Sequence, residues 1–290
     1  MAVRFSPLNN PYYPLPPDYP ELGTEGQRLA RVNAVVCRET PEDDVASWLF
    51  FRNYYLNFED AHWFDNYKEP APGHLEWARV CARYDRVMLA AHRGSAKSTI
   101  FSGEYVLRDA LSRPHSKTML INASNKKITT RMESLMRQIG GNRRIIEDFG
   151  VLKPSRYEGG IWNHQTLILK NGSIIQGFSV EAEDIRGERP HRIVVDDPEY
   201  DPREGTSIEK MIARMELLLF QLLLPALREG SRLHWIGTPI SARLFLWRMI
   251  VGTAGTTDSR LNPERWLSLI HISEPTRLLS TSYAVFCLKK

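Results

Sequence analysis

VMLAAHRGSAKST, Val87 to Thr99, is the stretch whose reading decides the fold. Apolar residues run from Val87 to Ala91, a tight loop carries Arg93 and Gly94, and Lys97-Ser98-Thr99 opens a helix. This order of parts suits nucleotide phosphates. Loop amides and a helix N-terminus face the anion, a lysine adds positive charge, and a hydroxyl stands where Mg²⁺ would bind. The pattern G-x-x-x-x-G-K-[ST] is not met in full, because Ala91 and Ala96 occupy its two glycine positions and Gly94 is the loop's only glycine. Taken alone, the stretch also fits an ordinary helix start with a solvated lysine.

Two further strand signals lie downstream. RIVVDDPE, Arg192 to Glu199, is a β-branched run that ends in acid. A buried parallel strand reads this way, with its C-terminal end at the ligand edge of the sheet. Phosphate-loop enzymes of the ASCE type use such an acidic end to hold the Mg²⁺ shell and orient the attacking water. A strand running into a solvated acidic loop is the bland alternative. LHWIGTP, Leu233 to Pro239, is a third strand, ending in Gly-Thr-Pro. Its Thr238 hydroxyl is placed to sense a γ-phosphate, although Gly and Pro mark plain turns too.

Together these elements resemble the ATPase domain of phage large terminases, the motors that pump DNA into capsids. Three more stretches carry the likeness: MLINASNKK (Met119 to Lys127), NGSIIQGFSVEAEDIRGERPHRIVVDDPE (Asn171 to Glu199) and HWIGTP (His234 to Pro239). The resemblance spans roughly Val87 to Ile250 in order and spacing. It implies an α/β P-loop NTPase (ASCE/RecA-like) with a doubly wound, mostly parallel sheet and an N-terminal helical appendage. ATP and Mg²⁺ are the implied cofactors. His92, Arg93, Gly94, Ser95, Ala96, Lys97, Ser98 and Thr99 would line the nucleotide, and Ser98 and Asp196 would hold the metal. Arg93 matches the family's arginine inside the phosphate loop and would act on the γ-phosphate. Thr238 would couple hydrolysis to domain movement. Many relatives have Asp-Glu at the acidic strand end, whereas this chain has Asp196-Asp197 followed by Glu199. Either Asp197 or Glu199 could therefore orient the water, and adjacency to Asp196 favours Asp197. Implied partners are double-stranded DNA, a portal protein, a small terminase subunit and further copies in a ring, in the cytoplasm of an infected bacterium. A helicase-like ATPase is the alternative. It would need a second RecA-like domain, and the residues after Gly237 are too few for one. A nucleotide-binding module without turnover, and a metal nuclease using Asp196, Asp197 and Glu199, are weaker readings.

The chain has 290 residues, 42% hydrophobic, with a formal net charge of +4, which permits nucleic-acid contact without demanding it. The apolar run Leu217 to Leu227 is interrupted by Gln221 and Pro225 and is too short to span a bilayer. No basic segment followed by an apolar core marks a signal peptide. Three cysteines without metal-ligand spacing suggest a reducing compartment.

Four segments are expected: a Pro/Tyr-rich arm (1–23), a helical appendage (24–73), the ATPase domain (74–266) and a tail (267–290). LSLIHISEPTR, Leu267 to Arg277, looks like a translated transposon-type sequencing adapter, and SYAVFCLKK, Ser282 to Lys290, like its far end. The tail is thus read as non-native and expected to make few specific contacts. The nuclease domain that full-length relatives carry is expected to be absent.

Helices are expected over Thr24–Cys37, Glu42–Tyr67 with Thr40 and Asp43 at its start, His74–Arg83, from the phosphate loop to Ser112, Lys126–Ile139, Ile208–Leu227 and Ala242–Val251. Strands are expected over Thr118–Ala123 and Leu233–Gly237. Asn171-Gly172 between apolar runs predicts a type I′ hairpin over Thr166–Phe178. Aromatics from Trp48 to Phe64 read as packing residues. His74 and Trp77 could touch adenine or simply pack.

Overall fold

A computed structural model describes residues 18–63, 69–155, 157–182, 185, 187–199, 207–241, 243–251, 266–271 and 283–288. Most of the expected N-terminal arm lies outside these residues. In chain order the elements are α1 (Thr24–Val36), α2 (Pro41–Phe51), α3 (Pro72–Arg83), β1 (Arg86–Ala90), α4 (Lys97–Thr99), α5 (Tyr105–Ser112), β2 (Lys117–Asn122), α6 (Asn125–Gly141), α7 (Arg143–Phe149), β3 (Thr166–Ile168) and β4 (Ile174–Ser179). They continue with β5 (Arg192–Asp196), α8 (Ile208–Glu216), α9 (Leu224–Ala226), β6 (Arg232–Gly237), α10 (Phe245–Val251), β7 (Trp266–His271) and β8 (Tyr283–Leu288). Two compact units form. One takes residues up to Arg83, Gly103–Ser116 and Arg131–Ile174; the other takes Tyr84–Ser102, Lys117–Thr130 and Ile175 onward. In the first unit α1 packs on α5 and α7, and α2 on α3 and α5.

The first unit is mainly helical. Thr40 caps α2 reciprocally: its hydroxyl accepts from the Asp43 amide at 3.2 Å, and its own amide donates to the Asp43 carboxylate at 2.9 Å. The aromatics that follow are core residues, as their pattern indicates; Trp48, Phe50, Phe51 and Tyr55 are fully buried. The helix widens into a π-helical stretch, Arg52–Leu56, and leaves helical geometry at Asn57, well short of Tyr67. Buried charges are paired, as burial requires. Arg31 donates to both oxygens of Asp148 at 2.6 and 2.8 Å, Arg108 donates to Asp44 at 2.8 Å, and Arg52 meets Glu104. Helix α7 has no counterpart among the expected elements. Its signal is Asn142, whose side-chain oxygen accepts from the Arg144 and Ile145 amides.

The turn ahead of β4 differs from the predicted type I′. Gly172 has φ +81°, but Asn171 is not left-handed. The Gly172 amide donates to Leu169 O and the Leu169 amide to Ser173 O, which makes Lys170-Asn171-Gly172 a three-residue loop ending in a left-handed glycine. A Cβ at Gly172 would also sit 2.2 Å from His115 Nδ1.

The second unit is a sheet covered by helices. Its strands run β4-β2-β5-β6-β1-β8-β7. β2, β5, β6 and β1 pair in parallel. Alternate residues build one core face: Met88 and Ala90, Met119 and Ile121, Ile193 and Val195, Leu233 and Trp235. Met215 of α8, and Leu218, Leu219 and Leu223 of the π-helical stretch Leu217–Leu223 that continues it, cover that face with Phe245, Leu246 and Met249 of α10. The opposite face is buried too, through Val87, Leu89, Leu120, Val194 and Ile236. Strands buried on both faces read as continuous apolar runs. Each such side chain contributes about 1.5–3 kcal/mol, so these four strands form a rigid base for the loops at their ends.

The tail corrects one expectation. β8 pairs antiparallel with β1, from Val87↔Cys287 to Ala90↔Ala284, and β7 pairs antiparallel with β8. Without β8, β1 would be an edge strand with a row of unpaired backbone groups, a template for any extended, β-prone segment. Tyr283 to Leu288 supplies Tyr, Val and Phe in such a segment. Pairing of this kind is made by backbone and is indifferent to where the sequence came from.

Candidate functional site

The site is built at the C-terminal ends of four parallel strands. β6 lies between β1, which leads into the loop Ala91–Ala96, and β5, which ends in acid. Register brings the ends level: Ala90 pairs with Gly237, Ile236 with Asp196, and Asp196 with Asn122. The Ala91 amide donates to Gly237 O at 3.0 Å, and the Asp197 amide to Ile236 O at 2.9 Å. Thus Thr238, one residue past β6, sits between the two loops it could link.

The loop between β1 and α4 turns on two left-handed residues, Gly94 at φ +80° and Ala96 at φ +61°. Ala96 is also the residue before helix α4, and no side chain caps the amides that follow it. The helix continues through the π-helical stretch Ile100–Glu104 into α5. An uncapped helix start beside a lysine leaves amide donors for an anion, so the loop's chemistry fits a triphosphate. An alanine in the left-handed region costs roughly 1 kcal/mol, at a position where the strict motif has glycine. Ala96→Gly is therefore expected to raise stability by up to about 1 kcal/mol, read as a small increase in melting temperature. An unchanged or lower melting temperature would contradict that strain.

Lys97 is buried and committed. Its Nζ donates to Thr238 Oγ1 at 2.8 Å and lies 3.5 Å from Asp197 Oδ2. Asp197 Oδ1 accepts from the Thr238 amide at 2.9 Å and from its hydroxyl at 3.3 Å. Asp197 itself is left-handed, at φ +43°, a conformation Asp tolerates better than most residues. Lysine, acid and threonine, from three separate strand ends, form one bonded cluster.

Asp196 faces the other way. Ser98 Oγ donates to its Oδ1 and Ser102 Oγ to its Oδ2, each at 2.8 Å. The Ser98 hydroxyl and the Asp196 carboxylate are hard oxygen donors side by side. Among the described residues, no group of three or more His, Cys, Asp or Glu side chains could hold a metal. Mg²⁺ does not need one, since it commonly takes one or two protein oxygens together with substrate phosphates and water. The pair fits that ion.

Glu199 is turned away from the loop. Its two oxygens accept from the Phe245 amide at 2.6 Å and the Leu246 amide at 3.0 Å, at the start of α10. Burial pushes its carboxyl above the usual range, against the pull of those two amides. The three acids that a metal nuclease would gather thus have three separate sets of partners.

The remaining loop residues take minor positions. His92 Nδ1 sits 2.6 Å from Arg93 O, Arg93 is exposed, Ser95 is buried, and Thr99 is half-buried. Trp77 is buried within the helical unit, and His74 Nδ1 accepts from the Ala71 amide. Ser102 carries no sequence signal, because a serine within a helix reads as neutral; only its spacing of four from Ser98 puts it on the same face.

No protein-family profile and no curated protein matches the chain. Among solved structures, the HK97 bacteriophage large terminase aligns with 70% of this chain and 40% of its own, with a TM-score of 0.50 and 12% identity. The ATPase domain of the Thermus phage P74-26 large terminase aligns with 68% of this chain and 80% of its own, with a TM-score of 0.42 and 15% identity. The chain spans 40% of the length of the HK97 protein. With these strand ends and the likeness to the HK97 protein, the chain has an α/β fold of the P-loop NTPase type, similar to that of the HK97 large terminase.

Proposed function

We propose that this chain is the ATP-hydrolysing motor domain of a phage large terminase, driving double-stranded DNA into a capsid. The observation that carries the reading is the meeting of Lys97, Asp197 and Thr238 beside the Ser98–Asp196 pair. The amides at the start of α4 and the Lys97 ammonium bind the β- and γ-phosphates. Ser98 and Asp196 would hold Mg²⁺, which would supply charge neutralisation for the phosphate oxygens. A γ-phosphate competes with Asp197 and Thr238 for Lys97. Once Lys97 turns to phosphate, the Asp197 carboxylate is released to orient a water and take its proton. Arg93, exposed at the loop tip, stabilises charge on the transferring group with a guanidinium that stays ionised. Thr238 loses one bond to Lys97 when phosphate arrives, so its strand end reports the nucleotide state. DNA, a portal protein, a small subunit and a ring of copies are the partners this role requires, in the bacterial cytoplasm.

Hydrolysis of ATP by the purified chain with Mg²⁺, measured alone and with duplex or single-stranded DNA, tests the reading. Mg²⁺-dependent turnover raised by duplex DNA is expected. Turnover raised only by single strands, with strand separation, would make the chain helicase-like. No nucleotide binding at all would end the ATPase reading.

A further inference from the structure

The pairing of Asp196 goes beyond what metal binding by Ser98 requires. Its carboxylate is held at both oxygens by two serines one helical turn apart, Ser98 on Oδ1 and Ser102 on Oδ2. Ser102 is 2% exposed and Asp196 8% exposed, so neither has ready access to water as a substitute partner. A terminal carboxylate torsion is broad and two-fold. With Oδ2 fixed by Ser102, that rotation is closed, and Oδ1 stays aimed at Ser98. The Ser98 proton is then committed to Asp196, which turns the lone pairs of Ser98 Oγ outward. We propose that Ser102 is a positioning residue for the metal site: its buried hydroxyl locks the Asp196 carboxylate so that Ser98 is presented as a ready Mg²⁺ ligand. The inference rests on the reading of Ser98 and Asp196 as the metal-holding pair.

The π-helical stretch at Ile100–Glu104 includes Ser102. Such stretches widen a helix by one residue and re-aim side chains, which suits a residue whose work is to meet a strand end. Outer-shell partners of metal ligands typically contribute ten- to a hundred-fold to metal affinity. Ser102 is placed as such a partner and is too buried to ligate the ion itself.

The test is direct metal binding, using Mn²⁺ with ADP followed by electron paramagnetic resonance. Ser102→Ala is expected to weaken Mn²⁺ binding in the presence of ADP about tenfold while leaving ADP binding in EDTA unchanged. Ser102→Thr, which keeps the hydroxyl, is expected to retain affinity. In an Asp196→Asn background Ser102→Ala should add little further loss, because both changes act on one unit. Wild-type Mn²⁺ affinity in Ser102→Ala, an equal loss of ADP binding in EDTA, or full additivity with Asp196→Asn would overturn the proposal. If Ser98→Ala and Asp196→Asn themselves keep wild-type Mn²⁺ affinity, the metal-site reading falls. If they lose affinity and Ser102→Ala does not, only the role of Ser102 falls.

Discussion

Lys97→Ala is expected to abolish ATP turnover, by on the order of a hundredfold or more, with the fold intact. Lys97 opens α4, where alanine is a good helix former, so the backbone tolerates the change. The lost group is the buried ammonium that lies 2.8 Å from Thr238 and 3.5 Å from Asp197. A buried cation facing phosphate acts in a low-dielectric setting and owes nothing to solvent reorganisation. Removing it also takes away Asp197's counter-charge. The Asp197 side chain keeps 27% of its surface exposed and retains the Thr238 amide, so it can be solvated and the damage stays local. Steady-state phosphate release measures the first effect and a circular-dichroism melt the second. Near-wild-type turnover would sink the phosphate-loop assignment, and a collapsed melt would assign Lys97 to stability instead.

Three of the four strands that frame this site, β1, β5 and β6, are legible because each is a short apolar run cut off by a chemically distinct residue. Ala90 gives way to the loop, Val195 to Asp196, and Ile236 to Gly237. In each case periodicity and punctuation coincide within a few residues. What stayed illegible depends on partners far away in sequence. Glu199 looks like a third site acid until its oxygens are found on the amides of Phe245 and Leu246. Ser102 looks like any helical serine until β5 arrives beside it. The Asn171-Gly172 turn follows its local signal only in part, because His115 donates its amide to Asn171 O and occupies the space above Gly172. The adapter-like reading of the tail speaks to where its sequence comes from, whereas a strand edge at β1 accepts backbone of almost any β-prone sequence.

The doubt between Asp197 and Glu199 becomes a contrast between two variants. Asp197→Asn is expected to reduce kcat by a factor of roughly 10² to 10⁴, the range for losing a positioned general base. Asparagine keeps the shape, tolerates the left-handed backbone, and can still accept from the Thr238 amide. Fold and nucleotide binding should therefore survive. Binding should even tighten slightly, because Lys97 loses the carboxylate that competes with phosphate. Glu199→Gln is expected to act otherwise. One amide oxygen can accept from one of the two α10 amides, while the amide NH₂ would face the other. The helix start then loses a charged cap, costing about 1 kcal/mol of stability. Leu246, capped by Glu199, packs at Gly237, where an added Cβ would come within 2.7 Å of its side chain. A loosened α10 could relax the backbone leading into Thr238, so a few-fold fall in turnover is expected, and no more. Single-turnover hydrolysis at saturating ATP, with melts of both variants, separates the two. A hundredfold loss in Glu199→Gln beside a fully active Asp197→Asn would move the water-orienting role to Glu199 and require α10 to let go of it during the cycle.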